Sequence, residues 1–187
     1  MKRIILILGI VLIFLLPVSA SGQDKKNYIA VKTGGYTFLG GLEEANFSTG
    51  FNGEMVYGFY LHPNFALEAG TGYFHDGVNK GYGNNVRGIP ITLTAKGIYP
   101  FRSAEFFAGG GTGVYFAKFH GQVNNIVANE RDTVFGGHLV IGANYNILPV
   151  IFLGIEGKYI VTDKAEFNVF SPHLSGYTIT SNFGFRF

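Results

Sequence analysis

Two sets of residues in this 187-residue chain have the types and spacing to do chemistry. The first is the stretch SPHLS, with Ser171, His173 and Ser175, and with Asp163 and Glu166 a few positions upstream. A hydroxyl, an imidazole and a carboxylate are the parts of a nucleophile activated by an adjacent base. The second set is scattered along the chain: Lys32, Lys96, Lys158 and Arg186, against Glu54, Glu68, Glu105 and Glu156, with His138 among them. Equal numbers of bases and acids make either an ion-selective passage or a neutral network of pairs, depending on what encloses them. His62, His75 beside Asp76, and His120 stand singly, and no group of ligands has metal-site spacing. Gly109-Gly110-Gly111-Thr112-Gly113 lacks the Lys and the following helix of a phosphate loop. No cofactor is indicated.

The composition says where such residues would have to work. Charged residues make up 14% of the chain, against roughly 25% in ordinary soluble domains. Aromatics reach 16%, all Phe and Tyr, and there are 28 glycines and no cysteine. Lys2 and Arg3 precede an apolar run from Ile4 to Leu16, and small residues follow. That is the pattern of a secretory signal, residues 1–20, cleaved after Ala20 or alternatively after Gly22. The run is short for a membrane-spanning helix, which needs about 20 residues. Loss of Lys2 and Arg3 cancels the formal net charge of +2, so the charge balance does not point to nucleic acid. After the signal, the longest apolar stretch is Ile147 to Ile155, and it contains Pro149. For an exported, apolar chain without a spanning helix, the remaining membrane solution is a closed β-barrel.

Period-two alternation supports that solution and predicts eight strands in residues 24–187, taken as one domain. They are expected at Tyr28–Phe38, Phe51–Leu61, Phe65–His75, Ile89–Tyr99, Glu105–Lys118, Thr133–Ile147, Val150–Val161 and Gly176–Phe187. Short connections follow the second, fourth and sixth; long polar ones follow the others, including Asp76–Gly88 and Phe119–Asp132. All long loops then lie at one rim, as in an up-and-down antiparallel transmembrane barrel with short periplasmic turns. One face collects Met55, Phe59, Leu93, Ile141, Ile155 and Ile179, with Tyr and Phe near the strand ends. A lipocalin-like barrel would turn that face inward. The opposite face reads as mostly Gly, Ala, Thr and Asn, and the charges are too few to solubilise an exterior, so the apolar face is expected outward. The fifth strand is ambiguous because its glycines blur the parity.

The chain closes on TSNFGFRF, with Phe183, Phe185 and Phe187 on alternate positions. A terminal aromatic preceded two residues earlier by another resembles the C-terminal assembly signal of bacterial outer-membrane proteins. Phe187, Phe185 and Thr180 match it, while Asn182 stands where the pattern has Gly. With GGGTGVYF after a short turn, the mature chain resembles the small eight-stranded bacterial outer-membrane β-barrel family, the porin-like outer membrane protein β-barrel domain. The resemblance implies residence in the outer membrane, contact with its lipid, and insertion by the barrel assembly machinery.

The charged set falls on the inward face of such a barrel. An eight-stranded interior is filled by its side chains, and unpaired charges there are costly. A salt-bridged plug is therefore the expectation, with an ion-selective pore as the alternative. Lys32, Glu68, Lys96, Glu105 and Arg186 are expected in the periplasmic half, and Glu54, Glu156, Lys158 and His138 nearer the middle. The His173-x-Ser175 pair is similar to that of the barrels that deacylate lipid A, but no acid follows it where that family places its third member. Loop histidines are more often solvated than catalytic, so the chain reads as non-enzymatic. The expected role is structural, or surface interaction with an external ligand or a host or matrix surface through four long loops. A narrow pore or a lateral path for small apolar molecules is the second class, and lipid A modification the third.

Overall fold

The computed structural model describes residues 26–39, 48–77, 85–123, 126–163 and 174–187. The expected signal segment lies outside the described residues. Eight strands follow one another: β1 (Asn27–Phe38), β2 (Ser48–His62), β3 (Phe65–Gly77), β4 (Asn85–Phe101), β5 (Ala104–Val123), β6 (Ile126–Asn146), β7 (Ile151–Thr162) and β8 (Gly176–Arg186). Each pairs antiparallel with the next, and β8 returns to β1 over the register Tyr28↔Arg186 to Phe38↔Gly176, closing the barrel. The outermost bonds of that seam are Asn27 N to Phe187 O and Phe187 N to Asn27 O. Closure leaves no unpaired strand edge.

Alternation sorts the two faces sharply. Val140 is 4% exposed and its neighbour Ile141 is 69% exposed. The exposed set runs round the wall as a band of aliphatics, with Tyr73, Tyr99, Phe101, Phe106, Phe116 and Tyr145 towards its margins. The apolar face is outward, as a lipid solvent requires. In β5 the parity resolves: Phe106 faces out, Phe107 and Tyr115 face in, and Phe116 faces out.

The turns fit tightly on one rim. Pro63–Asn64 joins β2 to β3, and Arg102–Ser103 joins β4 to β5 after the closing pair Phe101↔Ala104. Arg102 takes φ 56°, the left-handed conformation that a two-residue hairpin uses at its first position.

Several strands run further than expected. The segment 119–132, read as a loop, is mostly ladder: β5 and β6 pair on through Val123↔Ile126. Polar density suggested a loop, but a hairpin outside the bilayer can be polar and still keep its own hydrogen bonds. Similarly, β4 begins at Asn85 rather than Ile89, and Asp76 belongs to β3.

Candidate functional site

The barrel interior is stratified into three layers. Towards the long-loop rim lies an apolar layer of Tyr36, Phe38, Phe74, Val86, Tyr115, Ala117, Val134, Ile160 and Leu174. Tyr36 stacks on Phe74 with centroids 5.0 Å apart, and its hydroxyl donates to the Leu174 carbonyl. Towards the short turns lies a second layer of Tyr28, Ala30, Val56, Ala66 and Phe152, with Tyr60 and Ile98 packed against it. Between them is a belt of charge.

At the centre of the belt two cations and two anions alternate in a ring. Lys32 Nζ lies 3.0 Å from Glu68 and 2.8 Å from Glu156, and Lys96 Nζ lies 2.9 Å from Glu68 and 2.6 Å from Glu156. These residues come from β1, β3, β4 and β7. Since β3 and β7 are opposite staves of an eight-stranded ring, the cluster bridges the lumen from wall to wall. Tyr28 adds a hydrogen bond to Glu68 at 2.7 Å. Lys158 pairs separately with Glu54 at 2.6 Å, and Asn52 also donates to Glu54. Nearer the turns, Arg186 meets Glu105 at 2.7 Å, Asn146 at 2.6 Å and the Tyr60 hydroxyl at 3.2 Å, and its guanidinium lies 4.5 Å from the Phe152 ring centroid. Every charge in the belt thus faces an opposite one, which burial in a low-dielectric interior demands.

The pairing crosses the two groups expected from the sequence, a periplasmic set with Lys32, Glu68 and Lys96 and a middle set with Glu156. Glu156 belongs with Lys32 and Lys96, whereas its strand neighbour Lys158 reaches Glu54. Residues two apart share a face, but the register with other strands decides whom each can touch. His138 stands outside the ion pairs: its Nε2 is 2.8 Å from Thr94 Oγ1, while its Nδ1, like the buried Tyr115 hydroxyl, has no partner among the described residues.

The lumen is also more aromatic than a Gly, Ala, Thr and Asn face. The sequence reading missed Tyr28, Tyr36, Phe38, Phe74, Phe107, Tyr115 and Phe152, all buried inside. A signal existed in doubled apolar positions such as Tyr73-Phe74, Phe106-Phe107 and Tyr115-Phe116, where one ring must face inward. A second signal is glycine placement. Tyr28 pairs with Gly58, Phe74 with Gly88, Phe107 with Gly142 and Phe152 with Gly184. At each glycine a Cβ would collide with the partner's ring. The rings lie across neighbouring strands, over positions kept bare for them.

Of the nucleophile set, Ser175 and Asp163 are described, whereas Glu166, Ser171 and His173 lie outside the described residues. The Thr162 amide donates to Ser175 Oγ at 3.1 Å, and the Leu39 amide donates to the Ser175 carbonyl. Ser175 thus ties the start of β8 to β7 and β1. His62 Nδ1 accepts from the Asn64 amide inside its turn, and His120 is exposed within β5. The terminal aromatics Phe183, Phe185 and Phe187 lie on the outer face, with Phe185 and Phe187 stacked at 6.3 Å.

A closed eight-stranded barrel with an apolar outer band and a charge-compensated interior defines a class, the small integral barrels of the outer membrane. The chain belongs to the outer membrane protein beta-barrel domain family, which it matches over residues 6–187, and is an outer-membrane protein. A comparison with curated protein sequences returns no match. Among solved structures, the chain is similar to Neisserial surface protein A (TM-score 0.68, 11% identity, 89% of this chain and 100% of that one). It is also similar to the N-terminal β-barrel domain of Pseudomonas aeruginosa OprF (TM-score 0.55, 12% identity, 88% and 100%). A third is Ail, the attachment invasion locus protein of Yersinia pestis (TM-score 0.54, 12% identity, 88% and 100%). At these identities the likeness is one of fold.

Proposed function

We propose that this barrel is a non-conducting, non-enzymatic surface protein that acts through its long-loop rim. The observation that carries this reading is the cross-lumen ring of Lys32, Glu68, Lys96 and Glu156, capped by an aromatic layer on each side. A filled, neutral interior supplies neither an aqueous path nor a fixed charge for selectivity. What remains to meet the exterior is the rim, including the β5–β6 hairpin. A structure of Ail is in complex with the heparin analogue sucrose octasulfate, so a barrel of this fold can carry an external ligand. The test is planar-bilayer recording of the purified barrel at neutral pH. No steady conductance is expected, and a cation- or anion-selective current would overturn the plug.

The reading includes export by a cleaved signal and insertion by the barrel assembly machinery through Phe183, Phe185 and Phe187. The main-chain bonds of Phe187 to Asn27 do not need its ring. Phe187→Ser should therefore lower the yield of assembled barrel in the outer membrane while export continues. Unchanged yield would remove the assembly role.

One observation favours the second reading, a lateral path for small apolar molecules. The β3–β4 ladder is interrupted between Thr71↔Ile91 and Phe74↔Gly88, where Pro90 has no amide to give. Thr71 Oγ1 donates instead to the Pro90 carbonyl at 3.0 Å. Faster uptake of an apolar solute into cells carrying the barrel, abolished by Phe74→Trp, would promote this reading over the first.

A further inference from the structure

The register of β4, β5 and β6 places three cations side by side. Arg87 pairs with Lys118, and Lys118 pairs with Arg131. All three occupy outward positions: Arg87 and Arg131 are exposed and Lys118 is half-buried. None of them makes an ion pair or side-chain hydrogen bond among the described residues. Like charges directly opposite one another on neighbouring strands repel and destabilise the pairing. Such a row on an exterior this poor in charge calls for an anion from outside the chain.

Position on the wall says which anion. Along β5 the outward face runs from Phe106, 50% exposed, to Phe116, 46% exposed. Ten residues of strand rise about 33 Å, and with the tilt of a membrane barrel this covers the apolar band of about 25 Å. Lys118 is the next outward position beyond Phe116. Likewise, Arg87 is the next beyond Ile89 on β4, and Arg131 lies beyond Phe135 on β6. The row therefore sits at headgroup depth, on the long-loop rim, which in outer-membrane barrels is the external one. Long basic side chains at the ends of a membrane band lay their stems on the wall and lift their charges into the interface. On the opposite wall the corresponding outward positions are Thr37, hydrogen-bonded to Thr49, and Tyr177. Among the described residues the outward positive charge of this rim is therefore one-sided.

We infer that Arg87, Lys118 and Arg131 form a docking site for the phosphate-bearing headgroup of an outer-leaflet membrane lipid, held against the β4–β6 wall. Guanidinium groups on either side of an ammonium suit a phosphate, which each Arg can bind through two parallel hydrogen bonds. The site would orient the barrel in its leaflet and gather anionic lipid beside the β5–β6 hairpin.

The test uses the full barrel in nanodiscs of phosphatidylcholine containing a minor fraction of phosphatidic acid, with lipid retained after mild detergent washing read by mass spectrometry. The native chain should retain phosphatidic acid over phosphatidylcholine. The variant Arg87→Gln/Lys118→Gln/Arg131→Gln should lose about a hundredfold of that preference, the scale expected when three cations leave an anionic surface. Arg102→Gln, which removes a cation from the opposite rim, should retain it. Equal preference in the triple variant, or equal loss in Arg102→Gln, would overturn the site. Displacement of the lipid by inorganic phosphate alone would overturn the assignment to a headgroup. If the triple variant does not fold, phosphatidic acid with a photoactivatable headgroup is cross-linked to the native barrel instead. Labelling concentrated on peptides of β4 to β6 supports the site, and labelling spread evenly round the wall refutes it.

Discussion

A carboxylate at position 156 has to hold two ammonium groups at once, 2.8 Å and 2.6 Å away. Glu156→Gln leaves Lys32 and Lys96 with Glu68 as their one remaining carboxylate, in a place where neither can reach water. Breaking a buried pair costs about 3–5 kcal/mol. Glu105 offers the contrast: its side chain is 17% exposed, and Arg186 keeps Asn146 and Tyr60 if Glu105 is lost. Glu105→Gln should cost nearer 1 kcal/mol, the range of a partly solvated pair. Urea unfolding of both variants in lipid vesicles measures the difference. Equal losses would mean that the central ring is wetter than its geometry implies. At this scale the sequence was partly legible. Parity placed the charged residues of the lumen network on one face because side-chain direction alternates strictly along a strand. Their pairing was hidden, because contacts across a lumen depend on stagger between strands far apart in the chain, and no local pattern records that.

The strand pair is the next unit, and β1 with β2 shows how it is built. Tyr28 lies across the barrel wall over Gly58, close enough that a Cβ there would enter its ring, and from that position its hydroxyl reaches Glu68. Gly58→Val should push the ring away and loosen the bond to the ionic ring, costing about 1–3 kcal/mol as an overpacked core does. Tyr28→Ala in the same chain should recover part of that loss, because the collision is gone. A double-mutant cycle on unfolding free energies reads the coupling, and strict additivity would refute the contact. The strands themselves were readable from alternation, and five of the eight begin and end within three residues of their expected places. The hairpin arms at 119–132 were not, since alternation there carries no lipid-facing requirement and polar residues are free to occupy both faces. The inward rings were missed for a related reason. Where both faces are apolar, as at Phe106-Phe107, period-two contrast vanishes and only the glycine on the neighbouring strand betrays which ring turns in.

For the whole molecule the deciding feature is closure. The seam between β1 and β8 carries an unbroken register from Tyr28↔Arg186 to Phe38↔Gly176, so unfolding has no free edge from which to start. The interior supports the same seam from inside: Lys32 on β1 and Glu156 on β7 span β8 between them, and Tyr28 on β1 meets Phe152 on β7 at 5.8 Å. Loss of the sheet must therefore break the wall and the lumen network together, which makes unfolding cooperative and slow. In sodium dodecyl sulfate without heating, the barrel should stay compact and migrate differently from a boiled sample. Glu156→Gln should lower the temperature at which the compact form is lost without abolishing it at room temperature, because the seam's main-chain bonds remain. Identical mobility of heated and unheated native protein would count against a closed wall. If Glu156→Gln instead left that temperature unchanged, the wall alone would hold the fold, and the ionic ring would serve only to block the lumen.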